Sequence, residues 1–95
     1  MTTPADRAKA LLEKFGPLNH PNEVSADGIY SDYVDVGDLV VWADTYGDGT
    51  LGVLVYDFAS RGQTPILRLS SVRDDDLVAS IIQQVIDHHN GRQVI

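Results

Sequence analysis

The stretch Asp38-Leu-Val-Val-Trp-Ala-Asp-Thr-Tyr-Gly-Asp-Gly-Thr-Leu-Gly-Val-Leu-Val-Tyr-Asp-Phe58 decides the fold of this chain. It is rich in β-branched and aromatic residues, which fit the pleated surface of a strand. Asp48-Gly49 is a residue pair that two-residue type I′ hairpins favour. The sequence therefore predicts two antiparallel strands joined at Asp48-Gly49, with Trp42 directly opposite Val55.

Both faces of this predicted hairpin are mostly apolar. One face holds Leu39, Val41, Ala43, Leu54, Tyr56 and Phe58, and the other holds Val40, Trp42, Asp44, Tyr46, Leu51, Val53, Val55 and Asp57. A three-residue loop would shift the pairing by one residue and place Trp42 opposite Leu54, and both faces would stay apolar. A hairpin with one wet side has one polar face. We therefore expect a helix layer on one face and a further cover on the second.

The rest of the chain predicts an α+β domain in the order helix, three- to four-stranded antiparallel meander, helix. Thr3 suits an N-cap and Pro4 suits the first helical position, whereas Gly16-Pro17 is a helix stop. The predicted elements are a helix over 4–15, a long loop over 16–28, strands over 29–36, 38–45, 51–58 and 65–70, and a helix over 74–90. Helices on a single side of the sheet are the simplest packing for this order.

Charge is distributed unevenly along the chain, whose net charge is −7. Between residues 16 and 60 there are eight acidic residues and no lysine or arginine. The acids are Glu23, Asp27, Asp32, Asp35, Asp38, Asp44, Asp48 and Asp57. A nucleic-acid backbone is a poor partner for this acidic middle section, because binding phosphates depends on Lys and Arg. The pattern favours a basic protein surface as the partner.

Composition indicates one cytoplasmic globular domain spanning residues 1–95. An apolar fraction of 43% is ordinary for a packed fold. The chain has no cysteine, which excludes disulfides and thiolate metal sites. We also expect no membrane segment, because no apolar run approaches about 20 residues, and no signal peptide, because the N-terminus lacks the basic and apolar regions of one.

The sequence motifs that could carry out chemistry or bind a metal do not indicate an enzyme, a cofactor site or a metal site. Residues 44–49 are similar to the start of a calcium loop, but Tyr46 and Val55 occupy its third and twelfth positions, which need oxygen ligands. His88 and His89 are adjacent, so they point to different sides of a helix and cannot chelate one ion as neighbours four apart do.

The first functional hypothesis is a small acidic, non-enzymatic protein-binding domain, such as an inhibitor, immunity factor or regulatory accessory protein. Trp42 would anchor the interface, because buried aromatic residues dominate binding energy. The predicted partner-binding residues are Trp42, Asp44, Tyr46, Val53, Val55 and Asp57. Two alternatives would cover the same face without a different protein as partner. In the first, a second copy of the chain covers the face, and in the second, the long loop or one helix of the same chain covers it.

The second hypothesis is a nucleic-acid-binding module that uses Arg61, Arg68 and Arg73. The order of helix, strands and helix resembles double-stranded RNA-binding domains, in which the last helix begins with lysines that grip phosphates. This chain has Asp74, Asp75 and Asp76 at that place, where carboxylates suit the positive end of a helix. A variant of the first hypothesis is a DNA mimic, in which the acidic middle section imitates phosphates.

Overall fold

The computed structural model describes residues 3–60 and 63–93, which form two helices and a four-stranded sheet. The elements are α1 (Pro4–Glu13), β1 (Ser31–Val36), β2 (Leu39–Thr45), β3 (Leu51–Asp57), β4 (Pro65–Val72) and α2 (Asp75–Gln93), with a 3₁₀ turn (Phe58–Ser60) after β3. The sheet order β1-β2-β3-β4 is antiparallel throughout. The predicted αβββ(β)α meander is confirmed, with the fourth strand present.

Local capping explains where the helices begin. The hydroxyl of Thr3 accepts a hydrogen bond from the Asp6 amide at 3.1 Å, and the Asp6 carboxylate accepts one from the Thr3 amide at 3.3 Å, which forms a capping box. The Asp74 carboxylate accepts a bond from the Leu77 amide at 3.0 Å at the start of α2. In the described part of the chain, neither helix combines the length and the apolar character that a bilayer crossing requires.

The hairpin between β2 and β3 uses a three-residue loop, so the predicted Asp48-Gly49 loop is wrong and the alternative register is confirmed. The Tyr46 amide donates to the Thr50 carbonyl at 2.9 Å, and Trp42 lies opposite Leu54. Type I′ geometry needs positive φ at both central residues, but here only Gly49 has it, with φ of +85°. The carboxylate of Asp48 instead accepts bonds from the amide and hydroxyl of Thr50, which stabilises the longer loop.

Both helices pack on one face of the sheet, which we term the covered face. Helix α1 contacts β1 and β2, and α2 contacts β4. The core comprises Ala5, Ala8, Leu11, Leu12, Tyr30, Val34, Leu39, Val41, Ala43, Leu51, Val53, Val55, Val72, Val78, Ile82 and Ile86. The one-residue shift of register places Val53 and Val55 here, at 3% and 0% exposure. Their predicted position on the second face is therefore wrong.

Arg7 connects three parts of the fold through one guanidinium group. Its Nε and Nη2 donate to the two carboxylate oxygens of Asp75 at 2.8 and 2.7 Å, which links α1 to the start of α2. Its Nη1 donates to the Gly49 carbonyl at 2.7 Å in the hairpin loop. Planar bidentate pairing of this kind is the strong form of an Arg–carboxylate contact.

The long loop before β1 lies along the free edge of that strand. The Asn19 side-chain amide donates to the Tyr33 carbonyl at 2.7 Å. The His20 amide donates at 3.0 Å to Asp32, whose buried carboxylate also accepts bonds from the Tyr30 hydroxyl and the Tyr33 amide. Burial raises the pKa of Asp32, but these three hydrogen bonds outweigh it and hold the pKa below its usual value.

Candidate binding face on the open side of the sheet

The sheet surface opposite the helices is termed the open face. Its residues alternate along each strand with those of the covered face. They are Ser31, Tyr33, Asp35, Val40, Trp42, Asp44, Gly52, Leu54, Tyr56 and Arg68, with Tyr46 at one end and Phe58 at the other. The chain has one tryptophan, four tyrosines and two phenylalanines, and all except Phe15 and Tyr30 lie on this face.

An aromatic pair forms the centre of the open face. Tyr33 and Trp42 are directly opposed on β1 and β2, and their rings stack with centroids 5.2 Å apart and planes 11° apart. The indole N–H of Trp42 donates to the Asp44 carboxylate at 2.7 Å and to the Ser31 hydroxyl at 3.0 Å. The Ser31 hydroxyl itself donates to Asp44. These contacts hold the half-exposed indole in one orientation.

A depression of about 430 Å³ lies beside this pair, and its lining is mainly aromatic and aliphatic. It is lined by Tyr33, Asp35, Val40, Trp42, Tyr56 and Phe58. Val40 is buried among these neighbours, whereas Phe58 is 67% exposed. Burial raises the pKa of Tyr56, and the nearby Tyr33 and Asp35 raise it further. Tyr56 therefore presents a neutral hydroxyl at physiological pH.

A second depression of about 230 Å³ has a more polar lining that includes Asp44, Tyr46, Gly52, Arg68 and Ser70. The phenol of Tyr46 lies over Gly52, so a Cβ atom at position 52 would collide with it. The missing side chain at Gly52 thus makes room for Tyr46 against the strand. Carboxylate, phenol and guanidinium groups line this depression together.

The structure brings three of the six predicted partner-binding residues together. Trp42, Asp44 and Tyr46 are on the open face. Val53 and Val55 are in the core, as described above. Asp57 ends β3 on the other side of the sheet, opposite Leu39, where it lies close to Asp38 and His89.

Sequence reasoning missed several residues of the open face. Leu54, Tyr56 and Phe58 were placed on the covered face because the two-residue loop assigned the wrong parity to β3 and the residue after it. Tyr33 and Asp35 were missed because β1 was not aligned with the hairpin. A signal for β1 was present in the sequence, where Val34 and Val36 alternate with Asp35, which assigns Tyr33 and Asp35 to the face opposite the two valines.

Two of the three arginines of the nucleic-acid hypothesis, Arg68 and Arg73, are among the described residues. Arg61 lies outside the described residues. Arg68 is on the open face, and Arg73 follows β4 with its carbonyl 3.4 Å from a guanidinium nitrogen of Arg7. At the start of α2, Asp74 caps the helix and Asp75 pairs with Arg7.

Comparisons of the chain with protein-family models, with curated protein sequences and with solved structures find no match. The site residues are therefore those that contacts and exposure identify on the open face.

Proposed function

We propose that the protein is a small, non-enzymatic binding domain of the inhibitor, immunity or regulatory accessory type, which docks its open face on a partner protein with a basic surface. The observation that carries this proposal is the asymmetry of the sheet. Both helices cover one face, and most of the aromatic side chains lie on the other. Aromatic residues gathered at a surface and bordered by polar groups have the composition of an interface centre with its rim.

The Tyr33–Trp42 pair supplies a rigid anchor for such a partner. Hot spots of protein interfaces are enriched in tryptophan and tyrosine. The stacked rings and the two hydrogen bonds of the indole N–H fix Trp42 before any partner arrives. Fixing a side chain in advance lowers the entropy lost on association. The depression beside Trp42 offers a concave apolar surface that can receive a side chain of the partner.

Charge supports a basic partner. Strands β1, β2 and β3 lie entirely within the acidic middle section, which has no lysine or arginine. Asp35 and Asp44 border the aromatic centre of the open face. In Asp44, Oδ1 accepts the bonds from Trp42 and Ser31, and no described residue donates a hydrogen bond to Oδ2, so Oδ2 can accept one from a lysine or arginine of the partner. Complementary charge of this kind mainly accelerates association, and salt weakens it.

The test is affinity capture from a nuclease-treated lysate, with matched variants of two exposed apolar residues. Trp42→Thr removes the anchor but keeps a strand-forming residue, and Leu77→Thr changes a residue of α2 that is 57% exposed on the opposite side. We expect Trp42→Thr to weaken the affinity of the captured protein by about 30-fold, because a hot spot contributes about 2 kcal/mol or more. Leu77→Thr should bind as the wild type does.

Salt and oligomeric state complete the test. Asp44→Asn should slow association and flatten its dependence on salt. Circular dichroism must show that each variant is folded. A folded Trp42→Thr variant that binds every partner with wild-type affinity would overturn the proposal. A wild-type dimer that Trp42→Thr converts to a monomer in sedimentation experiments would assign the open face to a second copy of the chain instead.

A further inference from the structure

Three side chains from separate elements converge at the end of the sheet where β2 begins. Asp38 is in the two-residue turn between β1 and β2, Asp57 ends β3, and His89 is near the end of α2. One ligand atom from each residue lies within 4.8 Å of the other two. We propose that Asp38, Asp57 and His89 form a binding site for a divalent transition-metal ion of the Zn²⁺ type.

The distances fit a common metal ligand sphere. Nε2 of His89 lies 3.1 and 3.2 Å from the two carboxylate oxygens of Asp38. Ligand atoms bound to one tetrahedral Zn²⁺ ion at roughly 2.0–2.1 Å are about 3.3 Å apart, so a small movement accommodates the ion. The ion would then stand between the imidazole and the carboxylate in place of their direct contact.

The donor set selects the kind of ion. An imidazole nitrogen favours Zn²⁺, Co²⁺ or Ni²⁺ over Mg²⁺ and Ca²⁺, which prefer oxygen ligands alone. One imidazole and two carboxylates make three protein ligands, and water completes the coordination. The side chains of Asp38 and His89 are 50% and 19% exposed, so an ion reaches them without unfolding of the domain.

Neighbouring backbone bonds hold two of the ligands in place. The Ala59 amide donates to Oδ1 of Asp57 at 2.9 Å, which orients that carboxylate. The Phe58 amide donates to the carbonyl of Asp38 at 2.8 Å, which fixes the turn beside the end of β3. Hydrogen bonds to the residues that bind a metal ion orient their side chains and raise the affinity for the metal. His89 is carried by a helix whose Ile82 and Ile86 are in the core.

The test uses untagged full-length protein freed of metal with a chelator. Isothermal titration with Zn²⁺ should show one site per chain, and Co²⁺ should give visible absorption bands of a bound ion. His89→Ala and Asp57→Asn should each weaken Zn²⁺ binding at least about tenfold, because loss of a ligand costs no less than loss of an outer contact. His88→Ala changes the adjacent, exposed histidine and should bind Zn²⁺ as the wild type does.

Several results would overturn the metal site. These are no detectable Zn²⁺ binding by the wild type, undiminished binding by folded His89→Ala, or equal losses in His88→Ala and His89→Ala. The Trp42→Thr variant separates this proposal from the docking proposal, because it changes the open face and should leave Zn²⁺ affinity unchanged.

Discussion

The two faces of the sheet differ in what their residues do, although they alternate along the same strands. Val41 is fully buried among the apolar residues of the covered face, and its neighbour Trp42 is half-exposed and stacked on Tyr33. The covered face is bound by both helices, so it supplies stability. The open face is not needed to hold the helices. Substitutions one residue apart should therefore have different effects, on folding for one face and on binding for the other.

The largest effect is expected from Val41→Asp. Val41 has 0% exposure and lies between Val34 and Val55 on the neighbouring strands. A carboxylate there would lose its hydration without a partner, and such changes belong to the group that costs more than about 4 kcal/mol. We expect a chain without cooperative thermal unfolding by circular dichroism. A variant that unfolds near the wild-type temperature would contradict the assignment of stability to the covered face.

A smaller effect is expected from Asp32→Asn, which changes the one buried carboxylate described in the sheet. Its three hydrogen bonds come from Tyr30, His20 and Tyr33. An amide in its place accepts fewer of these bonds, and it lacks the charge that strengthens them. Urea unfolding at neutral pH should show a loss of about 1–3 kcal/mol.

The pH dependence of the unfolding free energy, compared between the wild type and Asp32→Asn, gives a sharper result. The folded-state pKa of Asp32 is lower than its value in the unfolded chain, which is about 3.9. The ionised group therefore stabilises the fold above that pH, and this contribution is lost as the pH falls through the folded-state pKa. The difference in unfolding free energy between wild type and Asp32→Asn should narrow below about pH 4. A constant difference across that range would show that the charge of Asp32 does not matter.

The smallest effect on stability is expected from Leu54→Thr, with Val55→Thr as its matched neighbour. Leu54 is partly buried on the open face and Val55 is fully buried on the covered face. The hydroxyl at position 55 would be buried, at a cost of about 1–3 kcal/mol. At position 54 the loss should be smaller, because the introduced hydroxyl can reach water at the open face. Equal losses in urea unfolding would remove the distinction between the two faces.

Local signals in the sequence were sufficient for the elements of the fold but not for the sheet register. The Thr3 cap, the proline and glycine stops and the apolar strands each act within a few residues, so they predicted the helices and the meander. The register depended on whether Gly47 joins the loop, and the Gly47-Asp48-Gly49 segment permits either choice. The side chains of β2 face the same sides of the sheet in both registers, which is why Trp42 and Asp44 were assigned to the correct face. The side chains of β3 change sides between the two registers, which is why Val53 and Val55 were assigned to the wrong face.

Contacts between distant segments set the other limit of prediction. Asp38, Asp57 and His89 are far apart in the chain, and only the docking of α2 against the sheet brings the histidine to the two carboxylates. No spacing rule relates such residues. The structure pairs His89 with Asp38, whereas the adjacent His88 is exposed.

The contact between Arg7 and Asp75 has a consequence for synthesis on the ribosome. The two residues are 68 positions apart, so Arg7 emerges long before its carboxylate partner is translated. Helix α1, β1 and β2, which contact one another, are all translated before α2, so the contact of α2 with β4 cannot form until residues 75–93 are made. During that interval nascent chains expose apolar surface that attracts chaperones or other nascent chains. Elongation rate over residues 75–93 should thus influence the yield of folded protein.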